Sequence, residues 1–491
     1  MILPPLRSLL VVATLGALVA CGGGGGGSTT AIGSTGGTPA AQAVLVTGTI
    51  TGFGSVHVNG VHFETSGASI LRDKQSITQQ SLRVGQFVTI KGSVSADGVN
   101  GSATTVEQDD NLEGPITQLD ATAQTFVVLS HTVKVTADTS FDASLSPATF
   151  AGLSVGLQVE VSGTPDSTGA IVATRIEKRA AGVTTLEVLG KVSALDTTAK
   201  KFNIDTLVVN YATATLEDFP SSGIKADDMV EVKGSSTNGA GELVATKVEL
   251  RNAEASAGAS RREIEGLVTR FASPADFDVA GRKVTTTGST TFQNGVGGDQ
   301  KLDARVEAEG SIDASGVLVA VKIEFKRGGS AGLAGKVEAV TPATSGSGGT
   351  IKVLGVTVTL DARTRIEDKS PAKVDLFRIN DINAGDYVRI RGTETAALAL
   401  TATRLERDTA PSSGESFVRG TVRDVVRPSF TVLGVKVDSD TSTQFRFSAP
   451  SGTSAADAFF ASGAGSVVSA RGIVTNGTIA ATRVEQADRE D

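Results

Sequence analysis

The sequence predicts an all-β protein made of six similar small barrels joined in tandem, and three observations lead to this prediction. The chain of 491 residues is rich in Gly, with 57, and poor in aromatic residues, at 4%. Many short stretches alternate apolar and polar residues, which is the pattern of half-buried strands. One hairpin-like stretch recurs six times, and self-similarity of this kind indicates a repeat architecture.

The clearest copy of the repeated stretch is residues 227–250. Asn238-Gly239 is expected to form its turn, because Asn and Gly tolerate positive φ. Alternation predicts which side chains of the two strands face the core, namely Val230, Val232, Val244, Thr246 and Val248. The same alternation predicts that charged residues face outward, namely Glu231, Lys233, Lys247 and Glu249.

Three landmarks recur in every repeat. The first strand contains a glycine, and these glycines are Gly48, Gly114, Gly190, Gly266, Gly335 and Gly420. A later strand is expected to end at a second glycine, the six being Gly92, Gly163, Gly234, Gly310, Gly392 and Gly472. The repeat closes on variants of Ala-Thr-basic-apolar-Glu, with the glutamates Glu107, Glu177, Glu249, Glu324, Glu406 and Glu485. We expect these glutamates to form cross-strand or inter-repeat ion pairs.

Between these landmarks, each repeat has the pattern of a strand, a hairpin, an irregular segment and a second hairpin. In repeat 1, Asn59-Gly60 predicts a two-residue type I′ turn that pairs Val58 with Val61. Residues 129–132 of repeat 2 lack the glycine, so that turn is expected to be built differently. Five strands, with a short helical turn such as residues 81–85 between the third and fourth, match the OB-fold arrangement. A six-bladed propeller and a β-solenoid remain alternatives.

The N-terminus is expected to be an export signal. Residues 8–17 are apolar but too short to span a bilayer, which is typical of a signal-peptide core. Leu18-Val-Ala-Cys21 resembles the lipobox of bacterial lipoproteins, and that resemblance implies cleavage before Cys21 and lipid attachment to it. Six glycines follow, so a flexible tether is expected. The resulting segments are a signal peptide at 1–20, a lipidated Gly-rich tether at 21–43, and repeats at 44–111, 112–182, 183–255, 256–329, 330–410 and 411–491.

Together these motifs resemble a family of domains of unknown function that occurs in tandem in proteobacterial lipoproteins. The resemblance covers nearly all of residues 44–491 and implies an OB-like fold. Since its motifs are turn and core residues, it transfers no catalytic residue to this chain.

Two groups of residues invite a metal hypothesis. His57 and His62 are expected to lie directly opposite each other in the first hairpin, with Glu64 on the same face. Equivalent positions in other repeats carry ordinary polar residues, so we interpret this face as polar and solvated. Residues 109–113, Asp-Asp-Asn-Leu-Glu, have the oxygen ligands of a calcium site, but other junctions are basic, which favours a solvated acidic linker. No metal or cofactor is therefore predicted.

Composition also argues against several function classes. The net charge of −8, the absence of Trp and the 2 Tyr disfavour nucleic-acid binding through stacked bases. The recurring Phe126, Phe202, Phe277 and Phe430 are expected in cores instead. With 3 His in the chain, no Ser-His-Asp set is evident, so we expect no enzyme.

The predicted function is that of a lipid-anchored protein of the outer membrane of a Gram-negative bacterium, with a structural or binding role at the envelope. Its expected partners are the membrane, through Cys21, and an envelope protein or polysaccharide. The side of the membrane stays open. Six modules in line would form a stalk on the order of 170 Å long. The alternative is a periplasm-facing protein that binds a saccharide, a peptide or a metal.

Overall fold

The computed structural model describes residues 41–180, 182–251, 261–326, 329–343 and 348–486. The signal peptide, Cys21 and all but the end of the tether lie outside these ranges. Strands dominate, and one α-helix is present in the described residues, α1 (Ala455–Ser462) of repeat 6. None of the described helices combines the length and the apolar character needed to cross a bilayer. The predicted all-β class is confirmed.

The first three repeats share one order of strands. Repeat 1 has β1 (Gln42–Phe53), β2 (Val56–Val58), β3 (Val61–Glu64), β4 (Ser69–Arg72), β5 (Gln75–Ser76), β6 (Phe87–Val94) and β7 (Asn100–Asp109). Repeat 2 has β8 (Leu112–Pro115), β9 (Gln118–Asp120), β10 (Thr125–Val128), β11 (His131–Lys134), β12 (Ser140–Phe141), β13 (Gln158–Pro165) and β14 (Ile171–Lys178). Repeat 3 has β15 (Leu186–Asp196), β16 (Lys201–Ile204), β17 (Leu207–Asn210), β18 (Thr215–Glu217), β19 (Met229–Thr237) and β20 (Leu243–Leu250).

The last three repeats follow the same order. Repeat 4 has β21 (Arg261–Ser273), β22 (Asp276–Val279), β23 (Arg282–Gln293), β24 (Arg305–Ile312) and β25 (Leu318–Phe325). Repeat 5 has β26 (Ala331–Pro342), β27 (Gly349–Val353), β28 (Val356–Leu360), β29 (Arg365–Asp368), β30 (Tyr387–Ala396) and β31 (Ala399–Asp408). Repeat 6 has β32 (Ser416–Val426), β33 (Ser429–Val432), β34 (Val435–Asp438), β35 (Gln444–Arg446), β36 (Val467–Thr475) and β37 (Thr478–Gln486).

Each repeat closes into a five-stranded barrel. In repeat 1 the circuit runs β1–β2–β3–β7–β6 and back to β1, with only β3 and β7 parallel. Repeat 5 makes the same circuit as β26–β27–β28–β31–β30. This strand order is that of the OB fold, as predicted. A single 3-10 turn at Gln79–Ser81 precedes β6, close to where a helical turn was expected.

The first hairpin turn has the expected geometry. Val58 pairs with Val61, and both Asn59 and Gly60 have positive φ, at 52° and 81°. Repeat 2 uses the same two-residue turn although it lacks the glycine, because Leu129 and Ser130 take up φ of 46° and 64°. The expectation that this turn is built differently was therefore wrong, and the reason is that the hairpin pairing imposes the left-handed conformation on both residues.

Both recurring glycines are explained by close approach. A Cβ at Gly190 of the first strand would lie 2.3 Å from Ile204 of the hairpin that folds over it. The second glycine was predicted to end its strand, and this was wrong. It lies inside the strand instead, at a β-bulge. At all six positions a Cβ would lie 1.9–2.5 Å from a backbone carbonyl oxygen of the last strand. Only glycine fits there without moving the backbone.

The bulge also changes the face on which later residues lie. In residues 227–250, Val230, Val232 and Val248 are fully buried, as predicted. The register shifts at Gly234, so that Ala245 pairs with it and Lys247 pairs with Lys233. Thr246 is therefore exposed and Val244 half-buried, whereas Leu243 and Ala245 enter the core. The predicted inward positions of Val244 and Thr246 were wrong for this reason. The chain turns at residues 238–242, with Asn238 N–H bonded to the Glu242 carbonyl.

The six barrels are joined in three pairs by their first strands. The N-terminal half of each first strand pairs with its own barrel along one edge only, so the other edge is open to a partner. β1 pairs with β21 in parallel, which joins repeats 1 and 4. β8 pairs with β15, and β26 with β32, both antiparallel, which joins repeats 2 and 3 and repeats 5 and 6. Each of the three sheets thus runs through two barrels, which is also the sheet continuity of a solenoid.

Apolar cores fill the barrels. Repeats 5 and 6 share one continuous cluster, and so do repeats 2 and 3, whereas repeats 1 and 4 each have their own. The predicted core positions Phe126, Phe202, Phe277 and Phe430 are at most 1% exposed. The described residues between 41 and 486 form one compact unit. The expectation of a stalk of modules in line was therefore wrong, because the free edges and charged faces of the barrels pair with one another.

The bulge glycines should be essential for stability. We expect Gly92→Ala to lower the free energy of unfolding by roughly 1–3 kcal/mol, because its Cβ would lie 2.2 Å from the Ser102 carbonyl oxygen. Urea unfolding followed by circular dichroism measures the change. Gly67→Ala is the control, since nothing lies within 4 Å of a Cβ there. Equal stability of the two variants would contradict the explanation.

Candidate functional site

Several of the glutamates that close the repeats contact residues of a neighbouring barrel. Five of the six closing glutamates pair with the basic residue two positions earlier on the same strand. The pairs are Arg175–Glu177 at 3.2 Å, Lys247–Glu249 at 2.7 Å, Lys322–Glu324 at 3.9 Å, Arg404–Glu406 at 2.6 Å and Arg483–Glu485 at 3.8 Å. Glu249 and Glu324 are buried, at 2% and 4% exposed. Among the described residues, three of the six glutamates also form the predicted inter-repeat ion pairs, namely Glu107 with Arg251, Glu249 with Lys74 and Glu324 with Arg363.

Arg251 holds repeats 1 and 3 together. This arginine follows β20, and its guanidinium contacts Glu107 at 2.8 Å and also Asp109 of repeat 1. It also contacts Glu249 at 3.1 Å and Glu231 at 3.5 Å within repeat 3. One cation therefore meets four carboxylates while its side chain is only 13% exposed. Removing it would leave these carboxylates to repel one another in a poorly solvated place.

Arg365 and Glu367 hold repeat 5 against repeat 2. Arg365 donates hydrogen bonds to Ser140 Oγ at 2.7 Å and to the Thr174 carbonyl oxygen at 2.5 Å, and a third to the Asp138 carbonyl oxygen at 2.7 Å. Glu367 accepts from Ser140 Oγ and from Arg404. Burial lowers the pKa of Arg365 to about 10, with neighbouring Arg404 adding to the effect. Burial alone would raise the pKa of Glu367, but the cations around it outweigh burial and lower it.

Three carboxylates converge on one ammonium group between repeats 1 and 3. Oxygens of Asp73, Glu187 and Glu231 lie within 4.8 Å of one another, and among the described residues no other such group of potential metal ligands occurs. Lys233 lies among them, with its Nζ near Asp73, 2.7 Å from Glu187 and 3.3 Å from Glu231. Burial, and then the charge of Glu231, raises the pKa of Glu187 to about 8. The chain's own lysine thus supplies the cation that this carboxylate group could hold.

The histidine pair is formed as predicted but is not solvated. His57 lies opposite His62, with ring centroids 5.0 Å apart. His57 is 6% exposed, because this part of repeat 1 packs against repeat 5, where Thr51 Oγ1 donates to the Ala362 carbonyl oxygen at 2.8 Å. Burial, and then neighbouring His62, lowers the pKa of His57 to about 4. Glu64 turns away to accept hydrogen bonds from the backbone of Thr65 and Ser66.

The acidic stretch 109–113 is buried rather than a solvated linker. All five of its residues are at most 8% exposed. Asp109 pairs with Arg251, and Asp110 accepts hydrogen bonds from Gln108 and Ser162. The Asn111 side chain accepts from the Gly163 N–H at 2.7 Å. Burial, with Glu160 and Glu187 nearby, raises the pKa of Asp110 well above its usual value. The interpretation as a solvated linker was wrong because this stretch crosses between two barrels.

The sequence predicted that the closing glutamates form ion pairs across strands or repeats, but it did not predict which repeats meet or that these charges are buried. Outward charged residues recur at fixed positions of the repeat, which is more order than a solvated surface requires. The partners that join different repeats, such as Asp73 for Lys233 and Thr174 for Arg365, are 160 and 191 residues away along the chain. No local pattern links such residues.

Six stretches of the chain match one family model, that of a domain of unknown function, DUF5666. The matches cover residues 45–107, 113–177, 190–249, 265–324, 334–406 and 419–485, each within one predicted repeat. The chain belongs to the DUF5666 family. No curated protein matches it. The landmarks shared by the six DUF5666 repeats are the glycine of the first strand, the bulge glycine and the closing glutamate.

The junction between DUF5666 repeats 2 and 5 should depend on Arg365. We expect Arg365→Met, which keeps much of the side-chain length, to reduce the free energy of unfolding by roughly 3–5 kcal/mol, because three hydrogen bonds are lost and buried partners remain unpaired. Chemical denaturation measures the loss. Arg446→Met is the matched control, because the Arg446 side chain is 65% exposed and, among the described residues, forms its ion pair within repeat 6, with Glu485. A loss as large in the control would argue against the junction.

The buried Glu263 should make stability depend on pH. Burial, and then neighbouring Glu307, raises its pKa to about 8 from an ordinary value of 4.5. The folded state therefore holds a proton that the unfolded state releases, and stability falls as pH rises from about 4.5 to 8. We expect Glu263→Gln to gain stability over the wild type across this window, by roughly 1–4 kcal/mol at pH 8.

Thermal unfolding at pH 5, 6, 7 and 8 tests this expectation. Glu338→Gln serves as the control, since Glu338 is exposed and its removal should leave the pH profile parallel to that of the wild type. A Glu263→Gln profile that is also parallel to the wild type would rule out the proposed proton uptake.

Proposed function

We propose that this DUF5666 protein is a lipid-anchored component of the bacterial outer membrane that acts as a rigid, non-catalytic block. The observation that carries the proposal is the joining of six barrels into one compact unit through shared sheets and buried charges. A chain built in this way holds its surfaces in fixed relative positions. That property suits a structural support or a docking platform at the envelope.

The membrane attachment rests on Cys21. It is the only cysteine of the chain and follows a short apolar segment in a lipobox-like sequence. A chain with one cysteine forms no internal disulfide, and the lipobox-like sequence before Cys21 favours acylation as the role of this thiol. Acyl chains on a single residue give firm anchoring, because each buried methylene contributes about 0.8 kcal/mol.

The non-catalytic role rests on how the junction groups are used. The carboxylates that sequence repetition marks as candidates for acid–base catalysis, such as Glu249 and Glu324, pair with neighbouring cations in buried positions. A general acid or base has to reach a substrate. These glutamates instead link strands and barrels.

Anchoring and rigidity can be tested together. We expect the wild type to incorporate radiolabelled palmitate and to sediment with outer membranes, and Cys21→Ala to lose both properties, because Cys21 is the proposed acylation site. Ser28→Ala, in the same Gly-rich stretch, is the control and should behave like the wild type.

Limited proteolysis of the isolated membranes tests whether the six barrels form one rigid block. Proteinase K should cut in the tether and release one large resistant fragment. A ladder of fragments of about one repeat each would contradict the rigid block, and labelling of Cys21→Ala would contradict the anchor. Repeating the digestion on intact cells then decides on which side of the membrane the block lies.

A further inference from the structure

A groove between repeats 5 and 6 stands apart in its charge. It has a volume of about 290 Å³ and is lined by five arginines and two glutamates, in a chain whose net charge is −8. The arginines are Arg389, Arg391, Arg404, Arg419 and Arg471. This concentration of guanidinium groups calls for a physical explanation.

The groove exists because one strand carries small side chains where its neighbours carry large ones. The paired strands β26 and β32 run along its floor, and β26 contributes Gly332 and Ala334. β30 flanks them on one side and β36 on the other. Arg391 and Arg471 come from these flanking strands, and each immediately precedes the bulge glycine of its repeat. The repeated bulge therefore places two equivalent arginines at the two walls.

Several of these cations already have partners. Arg404 pairs with Glu367 and Glu406, and Arg389 pairs with Asp408 at 2.6 Å. Arg471 lies over the Phe417 ring, with its guanidinium carbon 5.2 Å from the ring centroid. The guanidinium of Arg391 makes no hydrogen bond or ion pair with any residue that the structure describes, and it is half-buried. Arg391 therefore lines the groove as a guanidinium that is not neutralised by any described residue.

In repeat 3, the basic residue equivalent to Arg391 is neutralised by carboxylates of the chain itself. Lys233 also precedes a bulge glycine, Gly234, and its cross-strand partner is Glu187. Asp73 and Glu231 complete the shell of carboxylates around it. In repeat 5 the cross-strand partner of Arg391 is Gly332, which offers neither a charge nor a side chain. The position thus has both the cation and the space that an external anion would fill.

We infer that this groove binds a small ligand carrying two or more phosphate groups. A guanidinium fork matches two phosphate oxygens at once, which is why Arg is favoured for planar, bidentate anion recognition. A volume of about 290 Å³ admits a short polyphosphate or a phosphorylated sugar but not a folded partner. This inference goes beyond the proposed anchoring and rigidity and does not depend on either.

Calorimetric titration of the purified full chain in detergent tests it, with inorganic tripolyphosphate and glucose 1,6-bisphosphate as probes. We expect saturable binding of at least one probe, with affinity that falls as sodium chloride is raised. Arg391→Ala should weaken that binding about tenfold or more. Gly332→Glu should weaken the binding at least as much, because it places a carboxylate opposite Arg391, as Glu187 lies opposite Lys233 in repeat 3. Binding of tripolyphosphate alone would identify free polyphosphate as the source of the ligand, and binding of the sugar bisphosphate alone would identify a phosphorylated sugar.

Arg446→Ala is the matched control, because it removes one exposed arginine of repeat 6 outside the groove. It should bind like the wild type. Because Arg391 has no partner among the described residues, Arg391→Ala should keep the wild-type thermal midpoint, and its loss of binding would then not reflect unfolding. Failure of the wild type to bind either probe, or equal affinity of Arg391→Ala and Arg446→Ala, would overturn the inference.

Tyrosine emission gives a second readout of where the probe binds. The chain has 2 Tyr and no Trp, and Tyr387 lines the groove whereas Tyr211 lies in the core of repeats 2 and 3. Bound probe should change the emission of the wild type, and Tyr387→Phe should abolish that change while calorimetry still detects binding. If the probe still changes the emission of Tyr387→Phe as it does that of the wild type, the probe binds elsewhere and the assignment is overturned.

Discussion

The pairing of first strands between barrels is the constraint on which the rest of the structure depends. A first strand that starts before its own hairpin leaves a row of backbone N–H and C=O groups with no partner in the barrel. An open edge of this kind invites aggregation unless another strand covers it. Here β21 covers β1, β15 covers β8 and β32 covers β26. Once the barrels are paired in this way, their outward faces meet, and the charges on those faces have to be satisfied.

Buried charges then specify which faces meet. Ion pairs removed from water cost much of what their attraction contributes, so they are poor sources of stability. A charge left without its partner is far worse, and this asymmetry penalises wrong arrangements. Arg251 meets four carboxylates only when repeats 1 and 3 are in contact, and Arg365 finds its acceptors only on repeat 2. Repeats with nearly the same backbone are told apart by these charges.

The sequence predicted local features well where a local physical cause acts. The Asn59-Gly60 turn, the pairing of His57 with His62, and the burial of Phe202 and Phe277 follow from turn chemistry and alternation. Prediction failed where pairing with a neighbouring strand determines the conformation or the exposure of a residue. Thr246 points outward because the bulge at Gly234 inserts one residue, and the Leu129-Ser130 turn forms without glycine because pairing enforces it. His57 and the stretch 109–113 look like surface residues in the sequence and are covered by other barrels.

By itself, the sequence determined that this is an all-β protein of six barrels, because strand alternation, turn residues and bulge glycines act over a few residues and are repeated six times. The sequence also contains the arginines of the groove, but it does not show that they come together at one place. Only the tertiary structure decided which barrels pair, that repeat 1 joins repeat 4, and that Arg391 faces Gly332 where Lys233 faces Glu187. The physical reason is that free strand edges and outward charges select partners by shape and electrostatics across hundreds of residues, and no periodicity along the chain records that choice.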